Sequence, residues 1–412
     1  MDTRQVLSQP YVKRLFAARF ISNLGNGMGP IALAFGILGL PNGSANLLGL
    51  VLGTTTVFFL LMAPFGGVIA DKYGRARMVG ITDFLAGLVL LVQAWSFATG
   101  DVPVTLLLIV NGLYGVFWGI FWPAFSGIIP AVVPSEGLQK GNALNQLLTN
   151  SGFIIGAACA GILIDQYGAA VTLAIDAASF MISGVMIYSF RHLTPRALHS
   201  ESTVLADLRH GWQVFVSFRW IVVSVLSWSF LVMCWAAAEN VLGPLIALEH
   251  FNGAKSWSLV ITSESVGLIV GSVIALRIKL RYPLRFLQLA SFTLTFYIFT
   301  MAKPQSLIVI ASAAFLFGIT LDLWGTFWNT AMQKKVPQEA LSRVASFDAM
   351  GSMMFRPIGL AIAAPLSGLF GIENFLYILV GVTVVAITLP FLNEQVRIMS
   401  FEDIGNDQKS LK

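Results

Sequence analysis

The sequence predicts an all-α polytopic membrane protein whose twelve transmembrane helices form two six-helix bundles related by a pseudo-twofold repeat. Three observations predict it. Hydrophobic residues make up 56% of the 412 residues and the mean hydropathy is +0.79, far too apolar for a water-soluble domain. The apolar residues fall in continuous blocks matching the roughly 20 residues a helix needs to cross a bilayer. They do not alternate in polarity, as the strands of a membrane barrel would. Finally, the second half of the chain echoes the first.

The blocks lie at about 12–38, 45–69, 78–98, 104–129, 142–164, 169–190, 220–248, 258–276, 285–301, 306–330, 344–369 and 373–392, numbered here as spans 1 to 12. A polar start leads straight into a full-length span 1, without the pattern of a cleavable leader. Span 1 holds Asn26 and the pair Gly29-Pro30; span 7 holds Asn240 and Gly243-Pro244 in the matching motif "NVLGP" against "NGMGP". Proline removes a backbone donor, so these pairs are candidate breaks and hinges.

Between spans 2 and 3 stands "GGVIADKYGRARMVG", Gly66 to Gly80, with four charges in seven positions of a chain that is only 11% charged. Gly67 and Gly74 suit a close helix approach and a tight turn. Asp83 in span 3 and Asp348 in span 11 are candidate partners for Arg75 and Arg77. On span 4, Tyr114, Phe117, Trp118, Phe121, Trp122 and Phe125 step by three and four, so they share one face. Span 10 repeats the spacing with Phe317, Trp324, Phe327 and Trp328. Two readings stand: helix packing, or a large apolar surface for an aromatic ligand. Gly152, Gly156 and Gly161 on span 5 permit a neighbouring helix to come close.

The repeat is gapless over three spans. Gly115, Val133, Pro134, Glu136, Leu138, Gly156, Leu163 and Gly168 recur as Gly318, Val336, Pro337, Glu339, Leu341, Gly359, Leu366 and Gly371. The domains are therefore an N-terminal bundle at 1–190, a linker at 191–219, a C-terminal bundle at 220–395 and a tail at 396–412. In the linker, Leu205, Leu208, Trp212 and Phe215 share a helical face, either as an amphipathic surface helix or as a helical stub in a polar connection. The tail has a disordered composition.

Charges buried in spans are functional candidates because each is costly, about 2.5–3.5 kcal/mol on insertion scales. Asp322 in span 10 and Arg356 in span 11 lie near mid-depth on neighbouring helices and could pair; if they do, the pair is either a structural bridge or a carboxylate that trades Arg356 for a proton. Glu239 in span 7 and Glu264 in span 8 are further proton-coupling candidates. Asp176 in span 6 is expected to be peripheral, satisfied by Ser or Thr neighbours, and Asp165 and Glu373 to be loop-edge residues. Cys159 and Cys234 lie in spans and suit packing.

Of the 25 Lys and Arg, only Lys255 and Lys303 fall in loops after odd-numbered spans, while Arg19 and Arg356 lie well inside spans and Lys13, Arg14 and Arg285 at the first residues of spans 1 and 9. The rest sit at the N-terminus, in even-numbered loops and in the tail, which places both termini on the cytoplasmic side of the cell membrane. The net charge of +5 is this bias and gives no case for nucleic acid. Neither metal-ligand spacing nor a nucleotide-binding P-loop occurs. No cofactor and no enzymatic constellation are expected.

Twelve spans in two repeats, with Gly67-x-x-x-Asp71-Lys72-x-Gly74-Arg75-x-Arg77 between spans 2 and 3, resemble the major facilitator superfamily over essentially the whole chain. "RFISNLGNGMGPIAL" and "GNALNQLLTNSGFIIGAACAGILI" are similar to its branch of bacterial multidrug, macrolide and siderophore exporters. The resemblance implies a latch, with Asp71 near the start of span 11 in the outward-facing state. It also implies a cavity lined by spans 1, 4, 7 and 10. On those spans Asn26, Tyr114, Trp118, Phe121, Trp122, Asn240, Trp324 and Trp328 are substrate-cavity candidates, with Asn329 a further polar contact. The expected function is secondary active export of hydrophobic or amphipathic small molecules by a monomer, driven by a proton gradient. Alternatives are a lipid or lysolipid flippase and a nutrient importer.

Overall fold

The computed structural model describes residues 3–193 and 212–400, apart from 101, 127, 135, 136, 276, 279 and 337. Eleven of the helices described there are long and apolar enough to cross a membrane. One of them, Leu138–Tyr188, carries spans 5 and 6 end to end, with Gly168 (φ 80°, ψ 169°) as its one non-helical residue. The twelve predicted spans are thus accounted for. Gly371, the repeat partner of Gly168, adopts nearly the same conformation (φ 82°, ψ 149°) and separates span 11 from span 12. Both need a positive φ, which an L-residue adopts only under strain.

The motif between spans 2 and 3 is helical on both sides of a single residue. Span 2 stays helical over Ala45–Tyr73, and span 3 begins at Arg75. Gly74 alone (φ 93°) makes the turn. Span 2 starts at Ser44, whose hydroxyl accepts from the Leu47 amide at 3.2 Å, a favourable N-cap.

Span 7 is broken as expected, but over more residues than the Gly-Pro pair. An α-helix at Arg219–Trp235 gives way to a π-helical turn at Ala236–Leu242, and α-helix resumes at Gly243–His250 with Pro244 in its first turn. Pro is tolerated there because its missing N–H would lack a helical partner anyway. Span 1, by contrast, runs unbroken through Pro30 over Val12–Leu38. Span 11 was expected as one helix and is two, Gln338–Met353 and Arg356–Phe370. Pro357, second in the latter, explains the break.

The chain separates into two compact units. One holds the first six spans together with Asn240–Thr262, and the other holds the remaining parts of spans 7 and 8 with spans 9 to 12. The predicted boundary lay between spans 6 and 7; the observed one also crosses spans 7 and 8. In the linker, 212–217 are helical, Trp212 exposed and Phe215 buried, and both rings contact Phe347. Leu205 and Leu208 lie outside the described residues. The expected tail starts late, since Glu394–Ile398 is a short helix with Val396 buried; 401–412 lie outside the described residues.

Repeated glycines hold each unit together in the same way. A Cβ on Gly156 would collide with the Leu24 carbonyl of span 1, and one on Gly359 with the Met233 carbonyl of span 7. Gly115 meets the Thr55 carbonyl of span 2, and its partner Gly318 the Glu264 carbonyl of span 8. Small residues permit this backbone approach, from which packing in lipid gains most. Gly156→Ala is therefore expected to destabilise the protein by about 1–3 kcal/mol. Gly368→Ala, where nothing lies within 4 Å, should not. Thermal unfolding in detergent compares the two; equal shifts would refute the packing account.

Candidate functional site

The strongest constellation lies in the C-terminal unit, where the π turn of span 7 displaces the helical register around Glu239. Such turns interrupt the α pattern locally and recur at functional sites. Glu239 is 5% exposed and Glu264 of span 8 is 6% exposed. Their carboxyl groups interact electrostatically with each other and with the Tyr297 hydroxyl of span 9. Gly318 sets the depth of Glu264 by letting span 10 touch its backbone. Arg356 opens the second helix of span 11 and interacts electrostatically with Glu239. A cation at a helix N-terminus opposes the helix dipole, so an acid beside it is favoured.

Arg356 thus has Glu239 as its electrostatic partner, where Asp322 was the candidate. Asp322 accepts from the Ser272 hydroxyl at 2.8 Å. Its place on span 10 brings it against span 8, since a Cβ on Gly271 would meet the Asp322 Cβ. Of the four proton-coupling candidates, three come together and Asp322 stands apart.

The aromatic faces divide. Trp324 and Trp328 are buried in a packed cluster with Trp220, Trp228 and Phe327. Trp324 donates through Nε1 to Ser291 at 2.7 Å, and Trp328 through Nε1 to Asp348 at 2.9 Å. For span 10 the packing reading holds, and these two are removed from the cavity candidates. On span 4, Phe121 is buried and stacks on Phe125, Trp118 packs on Phe59, and Tyr114 packs edge-on to Phe180. Trp122 is half exposed. Asn26 donates to Asn23 at 3.4 Å, Asn240 is partly buried and Asn329 is exposed.

The N-terminal unit contains a polar group that the sequence did not foretell. Arg19 is buried beneath span 4 with its guanidinium over Phe125 (4.4 Å) and Phe121 (5.1 Å). It interacts with Asp83, which accepts from Ser183 at 2.8 Å. Asp83 therefore belongs to a membrane-buried cluster and not to Arg75 or Arg77. Asp348 is held within the C-terminal unit by Trp328 and Ser352. In the motif itself, close approach falls on Gly66, where a Cβ would strike the Gly119 carbonyl; Gly67 meets only Pro123 at 3.8 Å. Lys72 lies over the Tyr73 ring, Arg77 is partly buried on span 3, and the Asp71 side chain lies outside the described residues.

Both lysines of the odd-numbered loops are paired. Lys255 bridges Asp165 at 2.7 Å, and Lys303 bridges Glu373 at 3.1 Å, so the two loop-edge acids sit where expected. The Glu373 carboxylate holds the Lys303 ammonium above its ordinary range. Both pairs are about half exposed and add little stability.

Trp328→Phe removes the donor to Asp348 and leaves a buried carboxylate oxygen unsatisfied. A loss of about 1–3 kcal/mol is expected, read as a fall in unfolding temperature, against little change for Trp122→Phe. Equal behaviour of the two would restore Trp328 as a cavity residue.

Comparison with known proteins agrees with this architecture. Macrolide efflux protein A of Streptococcus pyogenes is 24% identical over 354 residues, covering 82% of this chain and 85% of the relative. The multidrug efflux pump Tap of Mycobacterium tuberculosis is 25% identical over 396 residues, covering 92% and 93%. Among solved structures, the nucleoside transporter NupG superposes with a TM-score of 0.76 at 13% identity, over 93% of this chain and 99% of that one. A bacterial homologue of the iron transporter ferroportin, in its inward-facing state, gives 0.70 at 16% identity over 93% and 97%. These likenesses concern the fold. The family model described as Major Facilitator Superfamily matches residues 15–355, and the chain belongs to that superfamily.

Proposed function

We propose that the protein is a secondary active exporter of hydrophobic or amphipathic small molecules, working by alternating access in exchange for protons. The relatives named as macrolide and multidrug efflux pumps support the efflux reading. The observation that carries proton exchange is the contact between Glu239 and Glu264. Two carboxylates buried together in hydrocarbon repel each other, and one proton between them relieves that cost.

The cluster gives the proton a defined role. With one proton on the pair, the remaining negative charge is matched by Arg356, and the site is neutral in a medium that penalises charge. Removing the proton leaves an unmatched negative charge, which favours either a cationic substrate group or reprotonation from the other side. A single site that tolerates proton or substrate, and not both absent, couples the two flows. Tyr114, Trp118, Phe121 and Trp122 of span 4, with Asn26 and Asn240, are the remaining candidates to meet an apolar ligand carrying few polar groups. The protein is read as a monomer in the cytoplasmic membrane with both termini inside.

The test uses everted vesicles with an acid interior, challenged with lipophilic cations and macrolides. Substrate should dissipate the gradient, Glu239→Gln and Glu264→Gln should each abolish the response, and Asp322→Asn should retain most of it. If no compound dissipates the gradient while fluorescent lipid crosses reconstituted liposomes, the protein is a flippase and the proton assignment falls.

A further inference from the structure

The N-terminal unit holds a second membrane carboxyl, remote in sequence from Glu239 and Glu264 and in a different setting. Asp176 of span 6 is 4% exposed. Its carboxyl group lies in a seat formed by two glycines on one face of span 1. A Cβ on Gly25 would collide with Asp176 Oδ1, and a Cβ on Gly29 with Oδ2. The expectation that hydroxyl neighbours satisfy this acid is not met. Ser179 turns its hydroxyl back to the Asp176 backbone carbonyl at 2.7 Å, and Oδ1 has no hydrogen-bond partner.

Among the described residues, the charged and titratable groups around the seat offer no counter-charge. From span 4, the Tyr114 ring lies close enough to interact electrostatically with Asp176 and Asp83. From span 3, Asp83 is itself acidic and is engaged by Ser183 and Arg19. From span 1, Arg19 lies about 9 Å further along the helix at ~1.5 Å per residue, its guanidinium committed to Phe121, Phe125 and Ser22. Against this stretch of span 1, span 5 brings Gly152, Phe153, Gly156 and Ala157, which carry no charge. An isolated carboxylate would be strongly disfavoured there, and such groups neutralise by taking up a proton.

We propose that Asp176 is a second proton-binding site, neutral while seated against Gly25 and Gly29 and able to release its proton only when span 6 leaves that seat. Gly29-Pro30, expected as a hinge, then serves as the carboxyl's cradle. The site itself does not depend on the Glu239–Glu264 pair; its part in transport rests on the export reading.

The first test is on wild-type protein in membrane vesicles, treated with dicyclohexylcarbodiimide and analysed by peptide mass spectrometry. The reagent modifies protonated carboxyl groups shielded from water. An Asp176 adduct is expected at neutral pH, declining as pH is raised, with none on exposed Asp165. Absence of the Asp176 adduct across the pH range, in vesicles where Glu239 or Glu264 is labelled, would overturn the proposal. The second test is Asp176→Asn, which preserves shape and lacks the proton. It should keep substrate exchange down a gradient but move fewer protons per substrate. An unchanged proton count overturns the transport role, whereas failure of Glu239→Gln alone to alter transport would strike the other site.

Discussion

The structure is organised around the penalty for unmatched charge in hydrocarbon. A membrane-buried carboxyl group must be paired, hydrogen-bonded or protonated, and each acid inside the spans meets this demand differently. Asp83 takes Ser183 and Arg19. Asp322 takes Ser272, Asp348 takes Trp328, and Glu239 and Glu264 take each other beside Arg356. Asp176 takes a seat with no counter-charge. The last two arrangements are the ones proposed above to hold a proton as a component of the site.

Glycine supplies the room for these arrangements. Gly318 fixes the height of span 10 on span 8 at Glu264 itself, while its repeat partner Gly115 meets the ordinary residue Thr55. The same backbone contact is structural in one half and adjoins a charge cluster in the other. Spans 1 and 7 diverge in a similar way. Span 7 carries the π turn with Glu239, whereas span 1 stays helical and uses Gly25 and Gly29 to receive an acid from span 6. The two halves share a packing scheme and differ in where they lodge charge.

Much of the architecture was legible in the sequence because length and apolar continuity determine spans directly. The repeat was legible through the glycines, and the matched φ of Gly168 and Gly371 gives it a backbone meaning. The Glu239–Glu264–Arg356 group was legible only as separate candidates. Which acid reaches Arg356 depends on the rotation of each helix about its axis, and a span that is apolar on all sides carries no polar face to report it. For the same reason Trp324 and Trp328 could not be told from cavity residues, and Arg19 could not be connected to Asp83. Asp176 was expected to be satisfied by Ser or Thr neighbours, but Ser179 donates to its backbone carbonyl, and the seat it occupies is made by missing side chains on another helix.

The central claim is that the Glu239–Glu264 pair holds a proton which substrate displaces. The direct measurement is proton release on adding a macrolide or lipophilic cation to purified protein in weakly buffered detergent, followed with a pH-sensitive dye. The account predicts release on binding to the wild-type protein, and none on binding to the Glu239→Gln, Glu264→Gln double variant. Saturable binding to the wild-type protein with no proton released would contradict it.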